Sequence, residues 1–343
     1  MPVSLAPLFP GMLFDAAARF AQDNADAPQA GDPVRDMGWA CTLVPEARGG
    51  VGGTLEDLAP VVEGLALHGM QLPVIEMCAV APLLLQAAPA GTADWLQAVC
   101  EGSATVAPLI PLAAPLDELP LRARLVEGGW ALKGEALGVA SAPLATHWVA
   151  PARTDTDGAV ALFMISREQM PSPTMHYRSM ESRQAADFRL DLTLPATARI
   201  AHGEAAQRAL DKAGQAAIVL TAVDTVAALA ALIGQTVQHL NERHQFGVAL
   251  SSFQALRHRL ADMYVAFGYV AAYGKFSVAD NIDMPALLAG LSRSEAHRRR
   301  TALLNAQIAE ANRATLEGPP TRLAPLDVEK IVERWRAARS RGA

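Results

Sequence analysis

Between residues 242 and 263 the chain sets a cation, an aromatic ring and an amide close together: Arg243-His244-Gln245-Phe246-Gly247, then Phe253-Gln254. A guanidinium forks onto phosphate oxygens, an aromatic ring stacks on a purine, and a carboxamide bonds an adenine edge or a phosphate. The set suits a nucleotide cofactor better than an apolar core. The plainer alternative makes Arg243 a cation at a helix C-terminus, Phe246 a core ring and Gln254 a helix N-cap.

Long helices must flank this run. On its N-terminal side Ala216 to Ile233 is apolar enough to resemble a membrane span, yet it is mostly Ala and carries Asp224, as a buried bundle helix would. On its C-terminal side Leu256, Leu260, Met263, Phe267 and Val270 recur at three- and four-residue intervals, the buried stripe of a second helix. A third helix is expected from about Pro285 to Ala314. A last one starts near the N-cap Asp327 and places Val328, Ile331, Val332 and Trp335 on one face. Upstream, from about 104 to 203, the period changes to two: Phe188, Leu190, Leu192 and Leu194 alternate with polar residues. Arg122 to Val126 and Trp130 to Lys133 flank Glu127-Gly128-Gly129 as a hairpin, and Trp148 to Ala152 and Ala159 to Ser166 read as further strands. Before that, Leu13 to Gln22, Thr54 to His68, Val74 to Gln86 and Ala93 to Cys100 read as helices. The glycine-rich run Gly49-Gly50-Val51-Gly52-Gly53 either cradles a phosphate or makes a tight connection that Thr54 ends as an N-cap, with Asp57 completing the capping box.

Composition fits this outline. Hydrophobic residues make up 51% of the 343 positions and aromatics only 5%, which favours closely packed Ala-rich helices over an aromatic-rich barrel. A net charge of -6 argues against nucleic acid as the main partner. Three cysteines, Cys41, Cys78 and Cys100, have neither metal-ligand spacing nor an even count, so no metal centre is expected and a reducing cytoplasm fits best. The N-terminus shows no basic region followed by an apolar run, so neither a signal peptide nor a membrane is expected.

The segment from Glu242 through Arg243, Gln245-Phe246-Gly247, Leu250, Phe253-Gln254 and His258 to Leu260-Ala261-Asp262-Met263 resembles the R-x-Q-F-G-x-x-L-x-x-F-Q-x-x-x-H-x-L-A-D-M segment of acyl-CoA dehydrogenases. The run Val44-Pro45-Glu46 to Gly49-Gly50-Val51-Gly52 is similar to that family's V-P-E-x-x-G-G-x-G. The resemblance spans nearly the whole chain. It implies an α+β, mostly α architecture: an N-terminal helical domain (1–103), a small middle β domain (104–203) and a C-terminal four-helix bundle (204–343). It also implies an FAD held partly by the neighbouring subunit, through Arg243, Phe246 and Gln254 here, and an acyl-CoA substrate. Gln307 stands where the family has the Gln of a Q-I-x-G-G-x-G loop that wraps the same FAD, although Glu310 and Ala311 replace both glycines.

Oxidising an acyl thioester needs a base for the α-proton, an acceptor for the β-hydride and donors to the thioester carbonyl. The family's flavin shelf comes from a T-E-P-G-x-G-S-D loop and a W-I-T strand. Here the corresponding stretches are Thr105 to Asp117, without a Gly-x-Gly turn, and Leu132 to Ser141, with Gly138 and Ala140 at the Trp and Thr positions. The family's base position on the first bundle helix falls on Ala217, and Asp224 is the only nearby carboxylate, with helix packing as its plainer role. Glu317-Gly318 has the letters of the family's alternative E-G site but follows Gln307 too closely, and Glu329 and Glu333 belong to a solvated helix face. Arg298-Arg299-Arg300, with Arg293 and His297, either meets the CoA phosphate or is simply exposed.

The expectation is an acyl-CoA dehydrogenase-like subunit that keeps the residues acting on a neighbour's FAD and lacks its own shelf and base. It would serve as partner to a sister subunit, as mixed assemblies of the family do for bulky acyl groups such as steroid side chains. The alternatives are a self-sufficient homotetrameric FAD enzyme and a flavin-free scaffold.

Overall fold

The computed structural model describes residues 6–25, 33–89, 94–110, 119–140, 144–178 and 184–280. Among these the chain is an α+β fold, mostly α. Helices α1 (Met12–Asp23), α2 (Pro33–Asp36), α3 (Leu55–Leu67), α4 (Ala81–Leu85) and α5 (Trp95–Cys100) come first. A π-helical segment, Ile75–Val80, leads directly into α4. Thr54 caps α3: its hydroxyl accepts from Glu56 N at 3.2 Å while Asp57 accepts from Thr54 N at 2.8 Å.

Eight strands follow: β1 (Val106–Pro108), β2 (Leu121–Val126), β3 (Gly129–Ala140), β4 (His147–Thr154), β5 (Val160–Ser166), β6 (Met175–Arg178), β7 (Gln184–Pro195) and β8 (Arg199–His202). Their order is β6-β7-β3-β2-β4-β5-β8, with β1 added alongside β4. Pairing is antiparallel except for β1 with β4 and β2 with β4. The β2–β3 hairpin pairs Val126 with Gly129, and Gly128 takes the left-handed φ of 82° that the tight turn requires. Strand β3 runs well past Lys133, where the alternation read from sequence ends. Two glycines mask that continuation: at Gly134 a Cβ would stand 2.3 Å from Pro120 O, and Gly138 sits in a bulge between Ala136 and Val139.

Helix α6 (Glu204–Glu242) then crosses the molecule, followed by the short pair β9 (His244–Gln245) and β10 (Val248–Ala249) and by α7 (Gln254–Asp280). The first half of α6 joins the N-terminal core, where Leu210, Ala213, Ala217 and Leu220 pack with Leu58, Val62 and Leu84. Its second half forms a separate core with α7, pairing Val226, Ile233 and Val237 with Leu260 and Phe267. Among the described residues α6 is long and apolar enough to cross a membrane, and 39% of that apolar window is buried inside the protein. Burial against two different cores accounts for its composition. Sheet residues such as Trp130, Leu132, Phe163 and Leu190 make the third core. The helices expected beyond residue 284 lie outside the described residues.

Candidate functional site

Helix α6 ends at Arg243, whose N–H bonds His239 O at 2.9 Å before the backbone turns extended. His244 and Gln245 pair with Ala249 and Val248, so Phe246 and Gly247 form a two-residue hairpin turn. Both turn residues have positive φ, 55° at Phe246 and 79° at Gly247, as this kind of hairpin demands. Gly adopts that region freely, whereas an aromatic residue does not. Phe246 is the only non-glycine residue with positive φ among the described residues, and it is 91% exposed. The core-ring reading of Phe246 is therefore overturned: the fold holds a phenyl ring in water on a strained turn, with only an edge contact to Phe253 at 6.3 Å.

The base of the hairpin is firm. Leu250 N donates to Arg243 O at 2.8 Å, and Arg257 Nε donates to Ser251 O at 2.6 Å. Gln254 opens α7, and both it and Arg243 are exposed. Neither the Arg243 guanidinium nor the Gln254 carboxamide has a partner among the described residues. The three expected residues thus stand on one short outward-facing unit, and their polar ends are uncommitted. Gln307 and the Arg298 cluster lie outside the described residues.

The β3 region differs in character. At its bulge Gly138 takes φ of 66°, and its N–H donates to Asp187 Oδ1 at 2.7 Å. The Tyr177 hydroxyl donates to the same oxygen at 3.0 Å, and a Cβ on Gly138 would meet that hydroxyl at 3.6 Å. Partial burial, and then the Asp187 charge, push the Tyr177 phenol above its ordinary pKa, so it stays protonated as a donor. Where a flavin ring would require donors and a flat wall, this edge presents a carboxylate with a phenol over it. Nothing in the pattern of the sequence singled out Asp187 or Tyr177, because the bulge and the β6–β7 pairing bring them together.

A cavity of about 530 Å³ opens between the glycine-rich loop, α4 and α6. Leu43, Leu55, Leu83, Ala216 and Val219 give it apolar walls, with Glu46 and Lys212 at its margin. The loop is a tight connection and not a phosphate cradle, since its amides are used internally. Gly50 N bonds Pro45 O, Gly52 N bonds Val44 O and Gly53 N bonds Thr42 O. At Gly50 a Cβ would lie 2.1 Å from Val44 O, so glycine is required by packing. Asp224 is half-buried on α6, two turns beyond Ala217, and outside the cavity lining, and Ala217 is buried. The structure thus does not bring Asp224 together with the cavity or with the hairpin unit as a catalytic group. Among the described residues no cluster of metal-ligating side chains occurs.

The family profile described as "Acyl-CoA dehydrogenase, C-terminal domain" matches residues 217–286, a span that contains the hairpin. Acyl-CoA dehydrogenase IpdE2 of Mycobacterium tuberculosis (strain ATCC 25618 / H37Rv) is 26% identical over 267 residues, covering 76% of this chain and 68% of the relative. In fold, the chain is similar to the ChsE4-ChsE5 complex from Mycobacterium tuberculosis, with TM-score 0.63, 19% identity and 80% of each chain covered. It is similar also to PigA, solved as an FAD complex, with TM-score 0.63, 21% identity and 79% of each chain covered.

Proposed function

We propose that this chain, similar to acyl-CoA dehydrogenases in its 217–286 segment and to IpdE2 along most of its length, is a subunit of that family and completes the FAD site of a sister subunit in a mixed acyl-CoA dehydrogenase. The domains are taken as 1–103, 104–203 and 204–343. The observation that carries the reading is the asymmetry between two surfaces. The hairpin holds Arg243, Phe246 and Gln254 outward and uncommitted, while the chain's own β3 edge is bulged at Gly138 and occupied by Asp187 and Tyr177.

In this reading Arg243 forks onto phosphate oxygens, the Phe246 ring stacks on the adenine, and Gln254 bonds the adenine edge or a phosphate of the sister's FAD. Gln307 joins them. When bound, FAD supplies the acceptor for the hydride leaving the β-carbon of an acyl-CoA thioester. The α-proton goes to a carboxylate of the sister subunit, since Ala217 stands at the family's base position and Asp224 lies away from the cavity. The similarity in fold to a complex of two named chains supports a mixed assembly. The expected setting is the cytoplasm, and the expected substrate class is a bulky acyl-CoA of lipid or steroid breakdown.

The test is to purify the chain alone and together with the acyl-CoA dehydrogenase-like protein encoded beside it, and to record visible flavin absorbance. Flavin in the complex and none in the homomer is the expected result. Tight stoichiometric FAD in the homomer would instead establish a self-sufficient homotetramer. A complex whose flavin content ignored Arg243→Ala would leave this chain a scaffold.

A further inference from the structure

Two of the three cysteines lie in different segments of the chain and meet in space. Cys41 ends the 3-10 turn Trp39–Cys41, and Cys100 ends α5. Helix α5 packs against that turn, which brings the two thiols near enough for each to feel the other's charge, and both are partly exposed. Cys78, in contrast, is fully buried in the N-terminal core. We infer that Cys41 and Cys100 form a dithiol oxidation site, taking hydrogen peroxide as oxidant and closing to a reversible disulfide.

The surroundings hold the two thiols near each other. Arg48 pairs with Asp94 in a two-pronged ion pair, Nε to Oδ2 at 2.6 Å and Nη2 to Oδ1 at 2.8 Å. This staple joins the Glu46–Arg48 turn to the N-cap of α5, whose Asp94 also accepts from Gln97 N at 3.1 Å. The same surroundings divide the labour between the sulfurs. Burial, the neighbouring Cys41 thiol and the charges of Asp94 and Glu101 push the Cys100 thiol up to about 12, so it keeps its proton. Cys41 is left as the sulfur that meets the oxidant and Cys100 as the one that resolves.

The chemistry closes on these atoms. The Cys41 thiolate attacks a peroxide oxygen, the O–O bond breaks, and Cys41 becomes a sulfenic acid as the other oxygen leaves as water after taking up a proton. Cys100 sulfur then attacks Cys41 sulfur. The S–S bond forms, the S–O bond breaks, and the departing hydroxide takes the Cys100 proton as a second water. Two thiols are oxidised and one peroxide is reduced. A small dithiol reverses the step by thiol–disulfide exchange.

The location gives the bond a consequence. Cys41 O accepts from Val44 N at 3.2 Å and from Val51 N at 3.0 Å, so Cys41 is the root of the glycine-rich loop. That loop carries Leu43, Pro45 and Glu46 of the cavity wall. A bond from its root to α5 would pin that wall.

The experiment treats the purified full-length chain with hydrogen peroxide, counts free thiols after unfolding, and maps unreduced peptides by mass spectrometry. The expected result is loss of two thiols, one linked pair joining the peptides of Cys41 and Cys100, and recovery of both with dithiothreitol. Amide exchange over residues 42–53 should slow in the oxidised form. Cys78→Ser should behave as wild type, Cys41→Ser should leave Cys100 reduced, and Cys100→Ser should carry Cys41 on to sulfinic acid. No link between Cys41 and Cys100, separate oxidation of each sulfur, or a link through Cys78 would overturn the inference. So would a linked form whose 42–53 amides exchange as before.

Discussion

The backbone N–H of Gly138 donates to Asp187 at 2.7 Å, and that one bond ties the bulge of β3 to its neighbour β7. Asp187 Oδ1 holds Tyr177 as well, at 3.0 Å, so a single carboxylate satisfies two donors at the bulge. Replacing it by Ala strands both. Asp187→Ala should destabilise the fold by about 1–2 kcal/mol, measured by chemical denaturation. It should not confer flavin on the isolated chain, because removing the carboxylate adds neither a ring to stack on nor hydroxyl donors. Tight FAD in that variant would show that Asp187 alone blocks a latent site.

The crossing of α1 and α3 depends on a missing side chain. At Gly64 a Cβ would lie 2.7 Å from Phe14 O and 2.9 Å from both Ala17 Cβ and Ala18 N, backbone and core atoms that have nowhere to go. Gly64→Ala should cost about 1–3 kcal/mol by overpacking, despite the better helix propensity of Ala. A stability equal to or above wild type would mean that the helices separate freely.

Acid should weaken the joint between the helical and β segments before it protonates most carboxylates. His147 on β4 lies against Trp95 of α5 at 4.7 Å, with its Nδ1 3.0 Å from Thr146 Oγ1. Burial lowers its pKa, opposed by the charge of Glu168. A histidine depressed in the fold binds its proton more readily in the unfolded chain. Stability is therefore greatest above the unfolded value of about 6.5, falls as pH drops through that value towards the folded one, and stays reduced below. His68, also lowered by burial, adds in the same direction. His147→Gln should flatten the stability slope between about pH 7.5 and 5.5, read from denaturation midpoints. An unchanged slope would assign the effect elsewhere.

The sequence reading succeeded where the cause is local. Thr54 and Asp57 sit three residues apart and cap α3 as their spacing predicts, the alternation from Phe188 to Leu194 is strand β7, and the Leu256 to Phe267 stripe lies on α7. It stopped short where partners are distant. Gly134 and Gly138 interrupt the period of β3, which is held by its pairing with β7, and β1, β6 and β8 are too short to show a period. At the candidate site the residue types and their place between two long helices were legible, but the hairpin turn at Phe246-Gly247 and the outward exposure of Phe246 were not. An aromatic ring followed by glycine reads equally well as core until the hairpin closes. The Asp187, Tyr177 and Gly138 cluster and the meeting of Cys41 with Cys100 arise from strand register and helix docking, which leave no short-range signature.

The hairpin's role separates affinity from assembly. Phe246→Ala removes a ring that is 91% exposed and on a strained turn, so the isolated chain should keep or slightly gain stability. The same change in the assembled complex should weaken FAD retention, measured by flavin released on gel filtration. Loss of stability in the isolated chain would point to a structural role for the ring instead.

The most direct measurement is the FAD dissociation constant of the assembled complex with Arg243→Ala in this chain only, the sister subunit being wild type. The account predicts subunits that still co-purify but bind FAD at least about tenfold more weakly, the loss of one charge-assisted phosphate contact. An unchanged dissociation constant in an intact complex would contradict it.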